Sequence, residues 1–379
     1  MRQSPLTRAE VERYSRQLVL PEMGTSGQNK LKESSVVVVG AGGLGIPASV
    51  YLAAAGVGKI GIVDSDVVEK SNLHRQVIYT EADIGKSKVD VSRKKLEEVN
   101  PHVSIVPHRL RLDSANALKL LKEYDVVLDC TDNFPARYLI NDACVMLHKP
   151  DVYASIFRFD GQASVFHADK GACYRCLFPE PPPPETVQDC AVAGVLGVLP
   201  GVMGSIQAAQ AINLIIGHGQ PLVGRLLLFN ATDMSFNELR IGKNRHCPVC
   251  GIHPTVTKLI DYEEFCGTNR AAPRVTEVDA TTLKRLLDSG SEIKLLDVRE
   301  PHEYELCHIR GSRLIPLEEL EKRVGELDPA DEIVVYCHVG VKSARAVELL
   351  SSKGFRRARN LMGGIRAWAD TVDPQMPVY

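Results

Sequence analysis

Four cysteines fall into two pairs, Cys173-Tyr174-Arg175-Cys176 and Cys247-Pro248-Val249-Cys250. Two thiolates two residues apart can bite one metal ion, and four complete a closed tetrahedral shell around Zn²⁺. The pairs lie far apart along the chain, so the metal would staple two distant segments. A redox role is the weaker reading, because neither pair opens a helix after a strand as thioredoxin-like motifs do. A fifth cysteine, Cys337, ends the β-branched run Ile333-Val334-Val335-Tyr336 and precedes His338-Val339-Gly340-Val341-Lys342 and a helix at Ser343. A loop curled at a helix N-terminus aims backbone N–H groups at the sulfur and favours its anion. Such a cradle suits a persulfide or a phosphate. A phosphatase loop would want arginine where Ser343 stands, to clamp phosphate bidentately, so sulfur chemistry is preferred. Cys130, Cys144, Cys266 and Cys307 have no partner motif and read as packing residues.

A second constellation lies near the N-terminus. Gly40-Ala41-Gly42-Gly43-Leu44-Gly45 follows Val36-Val37-Val38-Val39 and opens an Ala-rich helix. The glycines let the backbone approach a phosphate, and the helix N-terminus supplies N–H groups and positive dipole. Asp64, at the end of the next strand, is placed to accept a ribose hydroxyl. These residues alone indicate a nucleotide and leave NAD and ATP open. Arg16, Asn72, Arg75 and Lys88 flank that half, and Asp132 follows the strand at Val126–Cys130. A triphosphate with a leaving pyrophosphate needs several cations and a carboxylate that can hold Mg²⁺, whereas a dinucleotide needs few. ATP fits better.

The elements that must hold these residues alternate. Strands are expected at Lys59–Asp64, Ser104–Leu110 and Val126–Cys130, and helices at Lys86–Val99, Ala115–Lys122 and Arg137–Leu147. That alternation predicts an α/β fold with a doubly wound, Rossmann-like parallel sheet. Thr7 and Glu10 form a capping box at a first helix. Beyond Gly161 shorter strands are expected, with a proline loop at Pro181–Pro184, one apolar helix around Gly204–Ile216, and a strand pair at Arg225–Asn230 and Ser235–Ile241. Periodicity fades over Cys266–Arg274, giving a domain at 1–265, a linker at 266–274 and a second α/β domain at 275–379. The second domain is expected to open with a helix at Ala280–Leu287 and strands at Ile293–Asp297 and Ile333–Tyr336.

Several of these stretches resemble the MoeB/ThiF family of adenylating enzymes related to ubiquitin activation. They are Arg13-Tyr14-Ser15-Arg16-Gln17, the glycine loop, Ser71-Asn72-Leu73-His74-Arg75-Gln76, Gly85-Lys86-Ser87-Lys88-Val89 and Asp129-Cys130-Thr131-Asp132-Asn133. The resemblance runs from Thr7 to Gly251. It implies that Gly40, Gly42, Gly43, Gly45 and Asp64 contact ATP, that the Ser71–Arg75 run and Lys88 hold its phosphates, and that Asp132, beside Asn133, binds the metal. It also implies a homodimer in which Arg16 reaches the partner subunit's site, and agrees with a zinc held by the four paired cysteines. Cys190 matches a position proposed in that family for a thioester or acyl-disulfide intermediate; a plain loop cysteine is the alternative.

Asp297-Val298-Arg299-Glu300, His308-Ile309-Arg310-Gly311-Ser312, the Cys337 loop and Gly363-Gly364-Ile365-Arg366-Ala367-Trp368 resemble a rhodanese domain. Lys342 stands where many rhodaneses carry arginine, a point charge in place of a planar fork. Asp297 and Arg299 read as a buried structural pair. Together the two resemblances imply ATP-dependent adenylation of the Gly-Gly carboxylate of a ubiquitin-like sulfur carrier, then sulfur transfer from a Cys337 persulfide to form a thiocarboxylate. A persulfide donor such as a cysteine desulfurase is implied as a further partner. An NAD-dependent oxidoreductase fused to a rhodanese and a non-catalytic carrier-binding scaffold remain as alternatives. The pathway served (molybdopterin, thiamine, tRNA or cysteine) is not written in these motifs.

Composition narrows the classes further. The chain has 379 residues, 44% hydrophobic and 24% charged, a globular balance. Lys plus Arg is 45 against Asp plus Glu at 47, so no charge excess points to nucleic acid or an anionic membrane. The first twenty residues hold no apolar run of signal-peptide length. The apolar stretch at Ala191–Ile206 is interrupted by Gly194, Gly197, Pro200, Gly201 and Gly204, which argues against a spanning helix. Ten cysteines without a secretory signal suggest metal, redox or nucleophilic roles rather than disulfides, in a cytoplasmic protein.

Overall fold

The computed structural model describes residues 6–182, 194–267 and 275–377. The chain divides into two compact units, Met1–Asn269 and Arg270–Tyr379.

The first unit is built on the valine run. Branched side chains fill both faces of a buried strand, and β1 (Ser35–Val39) is buried from Val36 onward. It pairs in parallel with β2 (Lys59–Val63) and β4 (Val126–Asp129), with Val37 opposite Gly61 and Val127. β3 (Ser104–His108) lies outside β2, and β5 (Asp151–Phe157) lies outside β4. From β5 the sheet turns antiparallel through β6 (Asp160–Phe166), β7 (Arg225–Asn230) and β8 (Ser235–Arg240), giving the order β3-β2-β1-β4-β5-β6-β7-β8. The chain winds outward from β1 to β3 and then returns to β4. That reversal opens a crevice at the C-terminal ends of β1 and β4, where ligands bind in doubly wound sheets.

Local chemistry moves several helix boundaries. The Thr7–Glu10 capping box is present at the Arg8–Arg13 helix. The helix expected from Lys86 starts at Lys88, because Lys86 N–H is used by Asp83 O and Val67 bridges Ser87. The helix expected from Arg137 spans Phe134–Met146, because Asn133 caps it by accepting from Ala136 N–H and Pro135 fits the first turn. The apolar helix begins at Leu199 rather than near Gly204, with Pro200 harmless in the first turn. Leu199–Ile216 is long and apolar enough to cross a membrane; Gly194 and Gly197 lie before it, and Pro200, Gly201 and Gly204 are accommodated within it. Here it packs on β5, β6 and the Gly45–Ala55 helix. Its Gln207 Nε2 donates to Asp129 O at 2.7 Å and Val152 O at 2.8 Å, tying it to two strands. β5 escaped sequence reading: its turn to β6 is Arg158-Phe159, with Arg158 at φ 54° and neither Gly nor Pro at the turn itself.

The second unit has five parallel strands: β9 (Glu277–Val278), β10 (Ile293–Asp297), β11 (Arg313–Leu314), β12 (Glu332–Tyr336) and β13 (Ala358–Leu361). Their order is β11-β10-β12-β13-β9. Apolar cores lie on both faces, one around Leu296, Val335 and Leu350, the other around Leu295, Tyr336 and Trp368. The two-residue strands β9 and β11 are too short for period-two patterning to reveal.

Candidate functional site

The crevice of the first unit is a cavity of about 1100 Å³. Gly40, Gly42, Gly43, Asp64, Asn72, Arg75, Lys88, Asp132 and Asn133 all line it. Gly40 takes φ 102°, and a Cβ there would meet Cys130 O at 2.7 Å, so only glycine fits. The loop is pinned from two sides. Asp64 Oδ2 accepts from Ala41 N–H at 2.8 Å, and Tyr79 Oη donates to Ala41 O at 2.9 Å. The other Asp64 oxygen accepts from Asp66 N–H, so the carboxylate is aimed by backbone while lone pairs remain for a ligand hydroxyl.

Arg75 is held by its own turn, Nη1 donating to Ser71 O at 2.9 Å. Lys88 is buried, with Nζ 3.1 Å from Asp66 Oδ2. Three polar groups on the cavity wall lack any protein partner among the described residues: Asn72 Oδ1, Gln76 Oε1 and Arg137 Nε. Buried polar atoms are costly to leave unpaired, so a polar ligand is the natural complement. Asp129 and Asp151 lie on the neighbouring strands β4 and β5. Burial pushes the Asp129 carboxyl up against the opposing pull of Arg137, and burial with Asp129 nearby pushes Asp151 well above the carboxylate range. Asp132, by contrast, is exposed and lines the cavity, so a ligand can reach its carboxylate.

Not every expected residue faces the cavity. Gly45 shapes the loop instead, since a Cβ there would fall 1.8 Å from Gly40 O. Ser71 supplies its carbonyl to Arg75 and to His74 Nδ1, and Leu73 packs on the main core. Arg16 is exposed on the Ser15–Leu18 helix and does not line this cavity. Cys190 lies outside the described residues, as do Pro183 and Pro184. Gln76 and Arg137 went unselected in the sequence. Gln76 stood at the end of the Ser71–Gln76 stretch, and Arg137 is one turn past the Asn133 cap, a signal open to being read.

Cys173, Cys176, Cys247 and Cys250 converge, their sulfurs all within 4.8 Å of one another. Three edges of the cluster, Cys173–Cys176, Cys173–Cys247 and Cys176–Cys250, have Sγ separations of 3.8, 3.5 and 3.4 Å. A tetrahedron with metal–sulfur bonds of about 2.3 Å has edges of roughly 3.8 Å, so the four sulfurs fit one zinc-sized ion. Cys173 stands at the N-cap position of a one-turn helix, Tyr174–Leu177, but well past the end of β6 at Phe166, so the pair does not open a helix directly after a strand. Between the paired cysteines, Arg175 turns inward to a buried bidentate pair with Asp142 at 2.8 Å, and Tyr262 Oη donates to the same carboxylate at 2.8 Å.

In the second unit Cys337 follows β12 directly and is buried. Its sulfur accepts from Gly340 N–H at 3.2 Å and Ser343 Oγ at 3.3 Å. Helix Val341–Ser352 starts two residues before Ser343, which places Lys342 in its first turn. Behind the loop, Ile365 N–H donates to Cys337 O and Arg366 N–H to His338 O. Gly364 permits that approach: a Cβ would meet both carbonyl oxygens at 2.4 Å. Asp297 and Arg299 form the expected buried pair at 2.6 Å, with Arg299 also donating to Cys307 O. Cys130, Cys144, Cys266 and Cys307 are all buried.

Residues 14–249 match the ThiF family, and residues 279–371 match the rhodanese-like domain. The chain is 46% identical over 386 residues to the probable adenylyltransferase/sulfurtransferase MoeZ of Mycobacterium tuberculosis, covering 99% of this chain and 97% of the relative. It is 44% identical over 394 residues to the adenylyltransferase and sulfurtransferase MOCS3 of Aedes aegypti, covering 99% and 90%. Among solved structures, E. coli MccB with ATP superimposes with a TM-score of 0.58 at 25% identity, over 65% of this chain and 75% of that one. The chain belongs to the ThiF family and carries a rhodanese-like domain, an adenylyltransferase joined to a sulfurtransferase.

Proposed function

We propose that the first unit uses ATP to adenylate the C-terminal Gly-Gly carboxylate of a small ubiquitin-like sulfur carrier, and that Cys337 delivers the sulfur. The carrying observation is the cavity itself: a glycine loop, Arg75, Lys88 and Asp132 around one volume, with Asn72, Gln76 and Arg137 each presenting an unpaired polar atom. In this reading Asp64 takes the ribose hydroxyls, while Asn72, Arg75 and Lys88 hold the phosphates. Asp132 is the residue that would hold Mg²⁺, which adds positive charge beside the departing pyrophosphate.

The carrier carboxylate attacks the α-phosphorus, the bond to pyrophosphate breaks, and an acyl-adenylate forms. The terminal sulfur of a Cys337 persulfide then attacks the acyl carbon and expels AMP, leaving an acyl disulfide between carrier and Cys337. A thiol cleaves that disulfide, releasing the carrier thiocarboxylate and becoming disulfide-linked to Cys337. Cys190 is proposed as that thiol; a dithiol reductant then attacks the Cys337–Cys190 disulfide and closes into its own disulfide, returning both cysteines to thiols. The donors on the Cys337 sulfur favour an anion there, which suits a persulfide loaded by a donor such as a cysteine desulfurase.

Zinc is the proposed metal for the four-cysteine cluster, with a structural part, since four protein ligands leave no open position. A homodimer is proposed on the exposure of Arg16 outside its own protomer's cavity. The compartment proposed is the cytoplasm. The proposal is tested by ATP–pyrophosphate exchange in the presence of a diglycine-ended carrier and of the same carrier lacking its last residue. Exchange only with the intact carrier is expected; exchange indifferent to that truncation would overturn it.

A further inference from the structure

The two family matches leave residues 250–278 unassigned, yet part of that segment is in the nucleotide cavity. Ile260, Asp261, Tyr262 and Glu263 line it. They are fixed at both sides. On one, Ser114 Oγ donates to Ile260 O at 2.5 Å and Arg111 pairs with Glu263. On the other, Tyr262 Oη reaches Asp142, and Phe265 packs edge-on to Tyr138 at 5.2 Å beneath the Arg175 guanidinium. Asp261 caps the short Tyr262–Phe265 helix, and Cys266 is buried behind it.

The position of this strap follows from strand order. Arg111 and Ser114 sit in the loop after β3, which lies outside β2 and its terminal Asp64. The glycine loop is on the opposite side, after β1. A nucleotide with its ribose at Asp64 and its phosphates at the glycine loop must therefore direct its base toward the β3 side. There Leu110, Leu112, Ile260 and Tyr262 offer apolar and aromatic surface, the chemistry that receives a flat heteroaromatic base.

We infer that Ile260–Glu263 forms the base-side wall of the ATP site, so that the adenine packs against chain beyond the ThiF-family region, on the tether that leads to the rhodanese-like unit. The inference rests on the proposal that this cavity binds ATP. It makes the tether's first residues part of the adenylating machinery rather than a passive spacer, and it gives the Arg111–Glu263 pair a task, holding the wall against the β3 loop.

Hydrogen–deuterium exchange on the full chain separates the two claims. With Mg²⁺ and ATP, amides of Gly40–Gly45 and of residues 260–264 should both exchange more slowly. With inorganic tripolyphosphate in place of ATP, only the glycine loop should be protected. ATP protection of the glycine loop without any at 260–264 would overturn the base-wall assignment while leaving ATP binding intact. Protection at neither segment would bring down both. As a second readout, Glu263→Ala should raise the KM for ATP in pyrophosphate exchange by about tenfold with kcat changed little, the pattern of lost uniform binding. An unchanged KM would count against the wall.

Discussion

The crevice cavity of the first unit and the Cys337 loop are built by opposite constructions. The cavity gathers side chains from Gly40 to Glu263, carried on separate strands, helices and loops. The Cys337 loop is one short run between β12 and its helix, with a backbone N–H and a hydroxyl on the sulfur and two further amides bracing the carbonyls behind it. A dispersed site can place charges of both signs around a large ligand but depends on the whole sheet. A local loop makes a small site whose donors come from one run, although Gly364–Arg366 must still brace it from behind.

The sharpest break of that comparison is Cys337→Ala. It should abolish thiocarboxylate formation from a persulfide donor while pyrophosphate exchange continues at the wild-type rate, read side by side on one preparation. Loss of both activities would mean that the two sites are not separable. Asp132→Ala is the converse. Exchange should fall on the order of 10²-fold, as when one preorganised electrostatic group is removed, while Cys337 still accepts a persulfide.

Among the described residues, each unit also contains a buried arginine–aspartate pair, Asp142–Arg175 and Asp297–Arg299. Removing one partner strands the other charge, at a cost of about 3–5 kcal/mol. Asp142→Asn should lower the unfolding transition of the first unit, and Asp297→Asn that of the second. A calorimetric trace in which either change moves both transitions together would show the units to be coupled. Ser343→Ala removes one donor from the Cys337 sulfur; about fivefold slower sulfur loading is expected, near the value of a single hydrogen bond.

The smallest effect is a pH dependence confined to the first unit. Burial alone would raise Glu10, but bonds from Lys32 and Thr7 outweigh it and lower the carboxyl from 4.5 to about 2. Because the folded value lies below the unfolded one, its stabilisation is present above pH 4.5 and is lost as pH falls toward 2. Denaturant midpoints followed downward from pH 5 should decline less in Glu10→Gln than in the wild-type chain.

How much could be read in the sequence tracks the same contrast. The Cys337 loop was legible because strand, loop and helix start are contiguous and their spacing is the site. The glycine loop and Asp64 were legible for the same reason, each standing where a strand ends. The two CxxC pairs were legible as pairs. Gln76 and Arg137 were missed although their neighbours were chosen, since nothing local marks which polar side chain will be left without a partner once packed.

Sequence alone determined the kinds of element and the chemistry at their ends. Branched valines, a capping box, glycines at tight turns and paired thiols act over a few residues, where backbone geometry decides the outcome. Only the tertiary structure decided which ends share a volume. It fixed how closely Cys173 and Cys176 approach Cys247 and Cys250, set Asp132 in the open while Asp129 and Asp151 were buried on β4 and β5, and laid Ile260–Glu263 along the cavity. These are contacts between residues far apart in the chain, set by strand order and core packing. No local spacing encodes them, because the same strap would read identically on either side of the sheet.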